Sequence, residues 1–297
     1  MATYSLEDVR AVCKQRDAWW TVLLVDPIAV RLAWLVANRT SFTPNQITFA
    51  AFALGLGAAG CFAQATSGWL ALGALLYHLG FVLDCVDGKV ARLRGTGSPF
   101  GAWLDFMLDR VRDGLCALGL AGGQYAATGH VAYLWLGFAV LALDMIRYLN
   151  GPQIAKARRK MVSRPASEEA GKSEAGRPEA GKSEAGKSEA GKSEAGKSEA
   201  GKRTGPPPAG PSRYQRVRRS LLRCRIRMHL VSGIEFQMAT FIVGPLTGAI
   251  IPVTAAAGLL LLAFECLIIY RFWKSTRDFT RAFAERHTFA PPAEAKR

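Results

Sequence analysis

Apolar residues in this chain gather in runs of roughly 15–21 positions, close to the length that crosses a bilayer once flanking helix is added. The runs cover 47–65, 69–83, about 101–121, 130–149, 230–250 and 253–272. They predict an all-α integral membrane protein with six transmembrane helices. The third run is unusual in carrying Asp105, Asp109 and Asp113. Small residues recur inside the runs, as in Gly55-Leu56-Gly57-Ala58-Ala59-Gly60, a composition that lets helix backbones approach closely in lipid. Ahead of the first run, residues 6–37 read as one amphipathic helix on the cytoplasmic surface, with Leu23, Leu24, Ile28, Leu32 and Leu35 on its apolar side and Trp19, Trp20 and Trp34 suited to an interface. Thr43-Pro44-Asn45 then separates it from the first span, because a residue before proline avoids helical geometry. The first 20 residues carry mixed charges and no small-residue cleavage pattern, so no secretory signal is expected.

Charge fixes the orientation. The connections at 66–68, 122–129 and 244–252 are uncharged, whereas Arg31, Arg39, Lys89, Arg92, Arg94, Arg147, Arg158 and Arg271 fall at the opposite ends of the runs. Lys and Arg stay on the cytoplasmic side, so both termini and the large loop are expected there. Core helices of a soluble protein would not explain the uncharged connections.

The chain divides accordingly into an interfacial region over 1–40, spans one to four over 41–149, a linker over 150–212, a basic juxtamembrane helix over 213–229, spans five and six over 230–273, and a cytosolic tail over 274–297. Half of its 297 residues are apolar and its formal charge is +15. Residues 150–229 account for most of that excess, with 20 Lys and Arg against 8 Glu. The excess is therefore local, and long apolar runs beside basic segments argue for a membrane protein with charged cytosolic loops and against a nucleic-acid partner. From Gly171 to Ala200 the unit Gly-Lys-Ser-Glu-Ala repeats, with Gly-Arg-Pro-Glu-Ala as its second copy. A glycine every fifth residue and the lack of large apolar side chains predict a disordered linker. Gly176 to Ser183 also matches the phosphate-loop pattern G-x-x-x-x-G-K-S, but without the preceding strand and following helix that such a loop needs. After the linker, Arg213, Arg216, Arg218, Arg219, Arg223, Arg225 and Arg227 alternate with apolar residues. They serve as cytosolic flanking charge that attracts anionic lipid, or one or two of them reach the site to hold a phosphate. Six cysteines are scattered with no C-x-x-C pair, which suggests neither a zinc site nor a disulfide framework.

Chemistry concentrates at 84–109. Asp84 and Asp87 are three residues apart, and Asp105 and Asp109 four apart, so each pair shares a helix face. Carboxylates at a membrane boundary need a charge partner, and four of them balance two divalent cations. An all-oxygen donor set favours Mg2+ or Mn2+. Gly88 and Ala91 keep one face open to a substrate. Two such ions suit the displacement of one oxygen by another at phosphorus, with a carboxylate taking the proton of the attacking hydroxyl.

The segment follows D-x-x-D-G-x-x-A-R-x(8)-G-x-x-x-D-x-x-x-D at every fixed position. It resembles the CDP-alcohol phosphotransferases, also called CDP-alcohol phosphatidyltransferases, of class I. The six runs, the surface helix and Thr43-Pro44-Asn45 are similar to that family as well. The resemblance implies that a CDP-alcohol donor passes its phospho-alcohol, by default phosphatidyl from CDP-diacylglycerol, to an acceptor hydroxyl with release of CMP. It further implies that Asp84, Asp87, Asp105 and Asp109 ligate the metals, with Asp109 also the general base. Asp87, Gly88, Ala91, Arg92 and Gly101 then line the CDP site. Membrane lipid and a second copy in a homodimer are the other expected partners.

Asp109-Arg110-Val111-Arg112-Asp113 is also similar to the D-R-x-x-D continuation of members that use an inositol phosphate. For a phosphorylated acceptor, Arg112, Arg147 and Arg158 are the candidate ligands. The alternative is that Arg110 and Arg112 pair with Asp109, Asp113 or Asp144. A non-lipid CDP-alcohol donor, an inactive scaffold, and a transporter using Asp105 and Asp109 are the remaining readings; the last places ion ligands at the bilayer midplane rather than toward its edge.

Overall fold

A computed structural model describes the backbone of residues 3–175, 225 and 232–288, and the side chains of 3–161, 225 and 232–281. Among the described residues every regular element is a helix. Helix α1 is Leu6–Ala11, and α2 is Asp26–Arg39, entered through a π-helical turn at Thr21–Val25. Next come α3 (Pro44–Ala63), α4 (Ser67–Arg94), α5 (Pro99–Thr128) and α6 (Ala132–Ala175). The short α7 (Gly233–Met238) and α8 (Gly244–Thr247) flank a second π turn at Ala239–Val243, and α9 is Ile250–Thr288.

Local sequence sets the boundaries that matter for the site. Thr43 caps α3, its backbone N–H donating to Gln46 Oε1 at 2.9 Å while its hydroxyl accepts from the Gln46 N–H, and Pro44 occupies the first turn, where no N–H is missed. Helix α4 stops at Gly95, whose φ of +67° is a left-handed cap that glycine adopts without strain. Ser98 restarts the chain by accepting the Gly101 N–H at 2.9 Å, with Pro99 following it.

Helix α3 packs on both α4 and α5, which pack far less against each other. Small residues make this approach possible. A Cβ on Gly119 would lie 2.4 Å from the Ala59 carbonyl oxygen, and one on Gly123 would lie 2.6 Å from that of Ala63. On the other side, a Cβ on Gly80 would come within 3.1 Å of the Ala51 carbonyl oxygen. Backbone therefore meets backbone along α3, as expected where helices associate without a hydrophobic drive between them. The space left between α4 and α5 opens at the end where the Gly95–Ser98 turn joins them.

Arg94 fixes α2 against that end. Its guanidinium donates to the carbonyls of Val36, Ala37, Thr40 and Phe42 at 2.7–3.0 Å, gathering acceptors at and just past the negative C-terminal end of α2.

Among the described residues, five helical stretches are long and apolar enough to cross a membrane: Thr21–Arg39, Pro44–Ala63, Ser67–Arg94, Ala132–Met161 and Ile250–Arg281. The set differs from the six apolar runs. It includes Thr21–Arg39, expected as a surface helix. It omits α5, which is 30 residues long but carries five charges between Asp105 and Asp113, and the 233–247 stretch, whose helical pieces of 6, 5 and 4 residues are together too short.

Two boundaries also move. The single helix expected over 6–37 is broken between Ala11 and Trp19, and within the break the Asp17 N–H donates to the Arg225 carbonyl at 2.9 Å rather than to a helical carbonyl. The linker drawn from residue 150 begins as helix, since α6 continues to Ala175 through a stretch rich in Ala, Lys and Arg, all good helix formers. The rest of the linker and the basic helix expected at 213–229, apart from Arg225, lie outside the described residues.

Gly123→Val places branched carbons against the α3 carbonyls. It is expected to cost about 1–3 kcal/mol of stability, as overpacking does, and to lower the unfolding temperature of the detergent-purified protein, whereas Gly122→Val, with open space at its Cβ, leaves it near wild type.

Candidate active site

The antiparallel ends of α4 and α5 bring Asp84, Asp105 and Asp109 together, each offering a carboxylate oxygen within 4.8 Å of the others. Each carboxylate raises the energy of the next, so the arrangement calls for positive charge among them. Asp105 Oδ1 is buried and has no hydrogen-bond partner among the described residues. An oxygen-only donor set with an orphaned buried acceptor fits a hard divalent cation. Asp87, the fourth aspartate of the motif, is outside this triplet. It is buried, and Thr48 of α3 donates to its Oδ2 at 2.5 Å.

A cavity of about 670 Å³ lies between α4 and α5 beside these carboxylates. Asp87, Gly88, Ala91, Arg92 and Gly101 all line it, so the structure brings the five residues expected at a CDP site to one wall system. The volume is that of a pocket for a nucleotide-sized ligand. Two glycines keep it open. A Cβ on Gly101 would meet Asn45 Oδ1 at 3.0 Å and Ser98 Oγ at 3.1 Å, and one on Gly88 would meet Arg92 Nη1 at 3.3 Å. The Arg92 Nε donates to the Val12 carbonyl at 2.8 Å, which ties the guanidinium to the end of α1.

Pro44, Asn45 and Thr48 at the start of α3 also line this cavity. The sequence marks Thr43-Pro44-Asn45 as a break between helices and as a point of family likeness, with no role at the site. Its functional signal was a polar cluster placed at the beginning of an apolar run.

A second, smaller cavity of about 130 Å³ adjoins the first, sharing Asp87, Gly88, Arg92 and Asp105 with it. Its other walls include Lys14, Asp17, Asp84, Lys89 and Arg225. Asp26 organises it. One carboxylate oxygen is 2.9 Å from Lys89 Nζ, and the other is 3.2 Å from Arg225 Nη1. Arg225 also donates from Nε and Nη2 to the Lys14 carbonyl, at 3.0 and 2.7 Å. One arginine of the basic segment thus lines the smaller cavity, paired with Asp26. Lys14 was missed because it lies in a stretch that the sequence assigned to a continuous surface helix.

Arg112, Arg147 and Arg158 line neither cavity. Arg112 is buried, with Nη1 2.8 Å from Asp109 Oδ1 and Nε 3.2 Å from Asp113 Oδ1. Arg110 pairs with Asp113 at 2.9 Å and Asp144 at 2.7 Å. The pairing alternative for these two arginines is therefore what the structure contains. Arg147 is 3.1 Å from Glu265, which also accepts from Asn150 at 2.7 Å, so this group joins α6 to α9. Arg158 is exposed on the extension of α6. Glu235 accepts from Ser232 in the cap of α7.

Comparison with known proteins agrees with the motif. Residues 41–167 match the family model described as CDP-alcohol phosphatidyltransferase. An archaetidylinositol phosphate synthase of Methanothermobacter thermautotrophicus is 33% identical over 99 residues, 33% of this chain and 49% of that protein. A phosphatidylinositol phosphate synthase of Corynebacterium glutamicum is 37% identical over 92 residues, 31% of this chain and 39% of the relative. One of Cutibacterium acnes is 35% identical over 129 residues, 43% and 56% respectively. The chain spans about half the length of these curated relatives.

Removing the hydroxyl that holds Asp87 tests whether that carboxylate belongs to the cation site. Thr48→Val is expected to weaken Mn2+ binding by the purified protein about 10-fold, the scale seen when a partner of a metal ligand is lost; unchanged binding in a titration followed by electron paramagnetic resonance would place Asp87 outside the site.

Proposed function

Because residues 41–167 are a CDP-alcohol phosphatidyltransferase domain, we propose that this protein moves a phospho-alcohol from a CDP-linked donor to an acceptor hydroxyl and releases CMP, as a step of phospholipid synthesis. The observation that carries this reading is that the five motif residues assigned to CDP line one cavity that ends on the aspartates. In the transfer, the acceptor oxygen forms a bond to the donor's alcohol-linked phosphorus as the bond from that phosphorus to the CMP oxygen breaks. Asp109 takes the acceptor's proton. Gly88 and Gly101 let the nucleotide approach the helix backbones, and the Arg92 guanidinium, anchored at Val12, faces the diphosphate. Asp84, Asp87, Asp105 and Asp109 would hold Mg2+ or Mn2+, which neutralises phosphate charge when bound.

The acceptor we favour is a phosphorylated polyol such as an inositol phosphate, with CDP-diacylglycerol as the donor. The names of the relatives support this choice, and so does the smaller cavity, where Lys14, Arg92 and Arg225 lie beside the aspartates. Arg225 takes the role first assigned to Arg112, Arg147 and Arg158.

In the membrane, all six apolar runs cross, and both termini and the aspartates face the cytoplasm. The charges of α5 do not oppose its crossing because Arg110 and Arg112 are paired with Asp109, Asp113 and Asp144, which removes the cost of isolated charge in lipid. The Thr21–Arg39 helix lies along the cytoplasmic surface, held by Lys89 and Arg94 at its two ends.

CMP release from CDP-diacylglycerol and other CDP-alcohols, measured against glycerol 3-phosphate, inositol, inositol phosphate and serine, tests both substrates. Turnover is expected with inositol phosphate, to stop with EDTA, and to return with Mg2+ or Mn2+. Asp109→Asn, folded and membrane-inserted, is expected to lose about 10²–10⁴-fold in rate, as loss of a general base does; wild-type turnover by this variant with every acceptor would sink the mechanism.

A further inference from the structure

Arg112 is the most confined charged side chain near the carboxylates, and its confinement is built from three helices. It follows Asp109 by one turn of α5, and its guanidinium spans from Asp109 Oδ1 to Asp113 Oδ1. Asp113 is in turn held on every side. Tyr77 of α4 donates to its Oδ1 at 2.8 Å, Gln237 of α7 donates to its Oδ2 at 2.7 Å, and Arg110 lies 2.9 Å from Oδ2. The stem of Arg112 runs through a slot in α3, where a Cβ on Gly55 would sit 2.3 Å from its Cγ and 2.4 Å from its Cδ. The Tyr77 ring flanks the guanidinium, with its centroid 5.4 Å away. Only 3% of Arg112 is exposed.

A side chain so placed cannot reach a ligand in either cavity. What it does reach is one oxygen of Asp109, the carboxylate to which the proposed reaction assigns the proton. A planar guanidinium with fixed donors sets the direction of that carboxylate in a way a freely rotating ammonium does not. Glycine at 55 is required for this, since any side chain there displaces the arginine stem.

Resting on the phosphotransferase reading above, we infer that Arg112 is a positioning residue for Asp109, held by a Tyr77–Asp113 brace and by the Gly55 slot, and that it takes no part in binding the acceptor.

The test compares steady-state CMP release by the full-length, detergent-purified wild type with that of Arg112→Lys, Gly55→Ala and Tyr77→Phe, using CDP-diacylglycerol and inositol phosphate. Arg112→Lys is expected to lower kcat about 10–100-fold, the range for groups that orient a ligand at a metal site, with both KM values within about twofold of wild type. Gly55→Ala, which keeps the guanidinium but pushes its stem out of the slot and is remote from substrate, is expected to lower kcat in the same way. Tyr77→Phe, which keeps the ring and the fold and removes only a donor to Asp113, is expected to show a smaller kcat loss of about 3–10-fold. In a double-mutant cycle the Tyr77→Phe and Arg112→Lys losses should be less than additive, because both act on one brace. An inositol phosphate KM raised tenfold or more in Arg112→Lys at unchanged kcat would assign Arg112 to the acceptor and overturn the inference while leaving the transferase reading intact. Wild-type kinetics in Tyr77→Phe and Arg112→Lys together would also overturn it. Failure of the wild type to release CMP from any CDP-alcohol would overturn the transferase reading itself, and the inference with it.

Discussion

Repulsion among carboxylates is the constraint around which this fold is organised. Three aspartates from two helices place oxygens within 4.8 Å of one another, and a fourth lies beside them. In water such a group would spread apart or take up protons; at the end of a helical bundle it must be held. Cationic side chains surround it at graded distances. Arg112 touches one carboxylate directly, Lys89 and Arg225 share Asp26 at the rim, and Arg92 is anchored to a carbonyl nearby. The protein partly offsets the charge and leaves Asp105 Oδ1 without a partner, which is the condition in which a cation binds most favourably.

Holding that cluster requires two helices to stand apart near their ends and still be rigid. Helix α3 does this by packing on both. Its small residues let the backbones of α4 and α5 approach it closely along their length, and its polar first turn fills the gap between them at the cavity with Asn45 and Thr48. The same helix supplies the slot for Arg112. Packing geometry and electrostatics are therefore carried by one element, and a glycine that looks like a packing device at 55 also determines where a guanidinium lies.

The spacing of the aspartates could be read from the chain because helical periodicity converts intervals of three and four directly into shared faces, and the motif pointed to five of the residues that line the large cavity. The contributions that escaped came from residues distant in sequence. Thr48 is 39 positions from the aspartate it holds, and Lys14 is 211 positions from Arg225. The arginines of α5 were ambiguous for a different reason. Charge and spacing allow Arg112 either to face a ligand or to pair with Asp109 and Asp113, and only the depth at which Gly55 buries its stem decides between them. The Thr21–Arg39 helix is as apolar as the spans, so hydropathy alone does not distinguish lying on a membrane from crossing it.

Of the eight residues between Arg92 and Gly101, Leu93 and Arg94 end α4 and the other six are of two kinds. Gly95, Thr96 and Gly97 form a turn, closed by the Ser98 cap, whose residues line the large cavity without setting any helical register. Pro99 and Phe100 already belong to α5, where each residue turns the helix by about 100°. An added residue in the turn would reshape the cavity wall while the cap still started α5 at the same place. An added residue just after Pro99 would swing Asp105 and Asp109 away from Asp84 together, separating the two halves of the cluster without altering either. The fixed interval is thus a phase relation between two helices, and the Ser98 cap is the point from which that phase is counted.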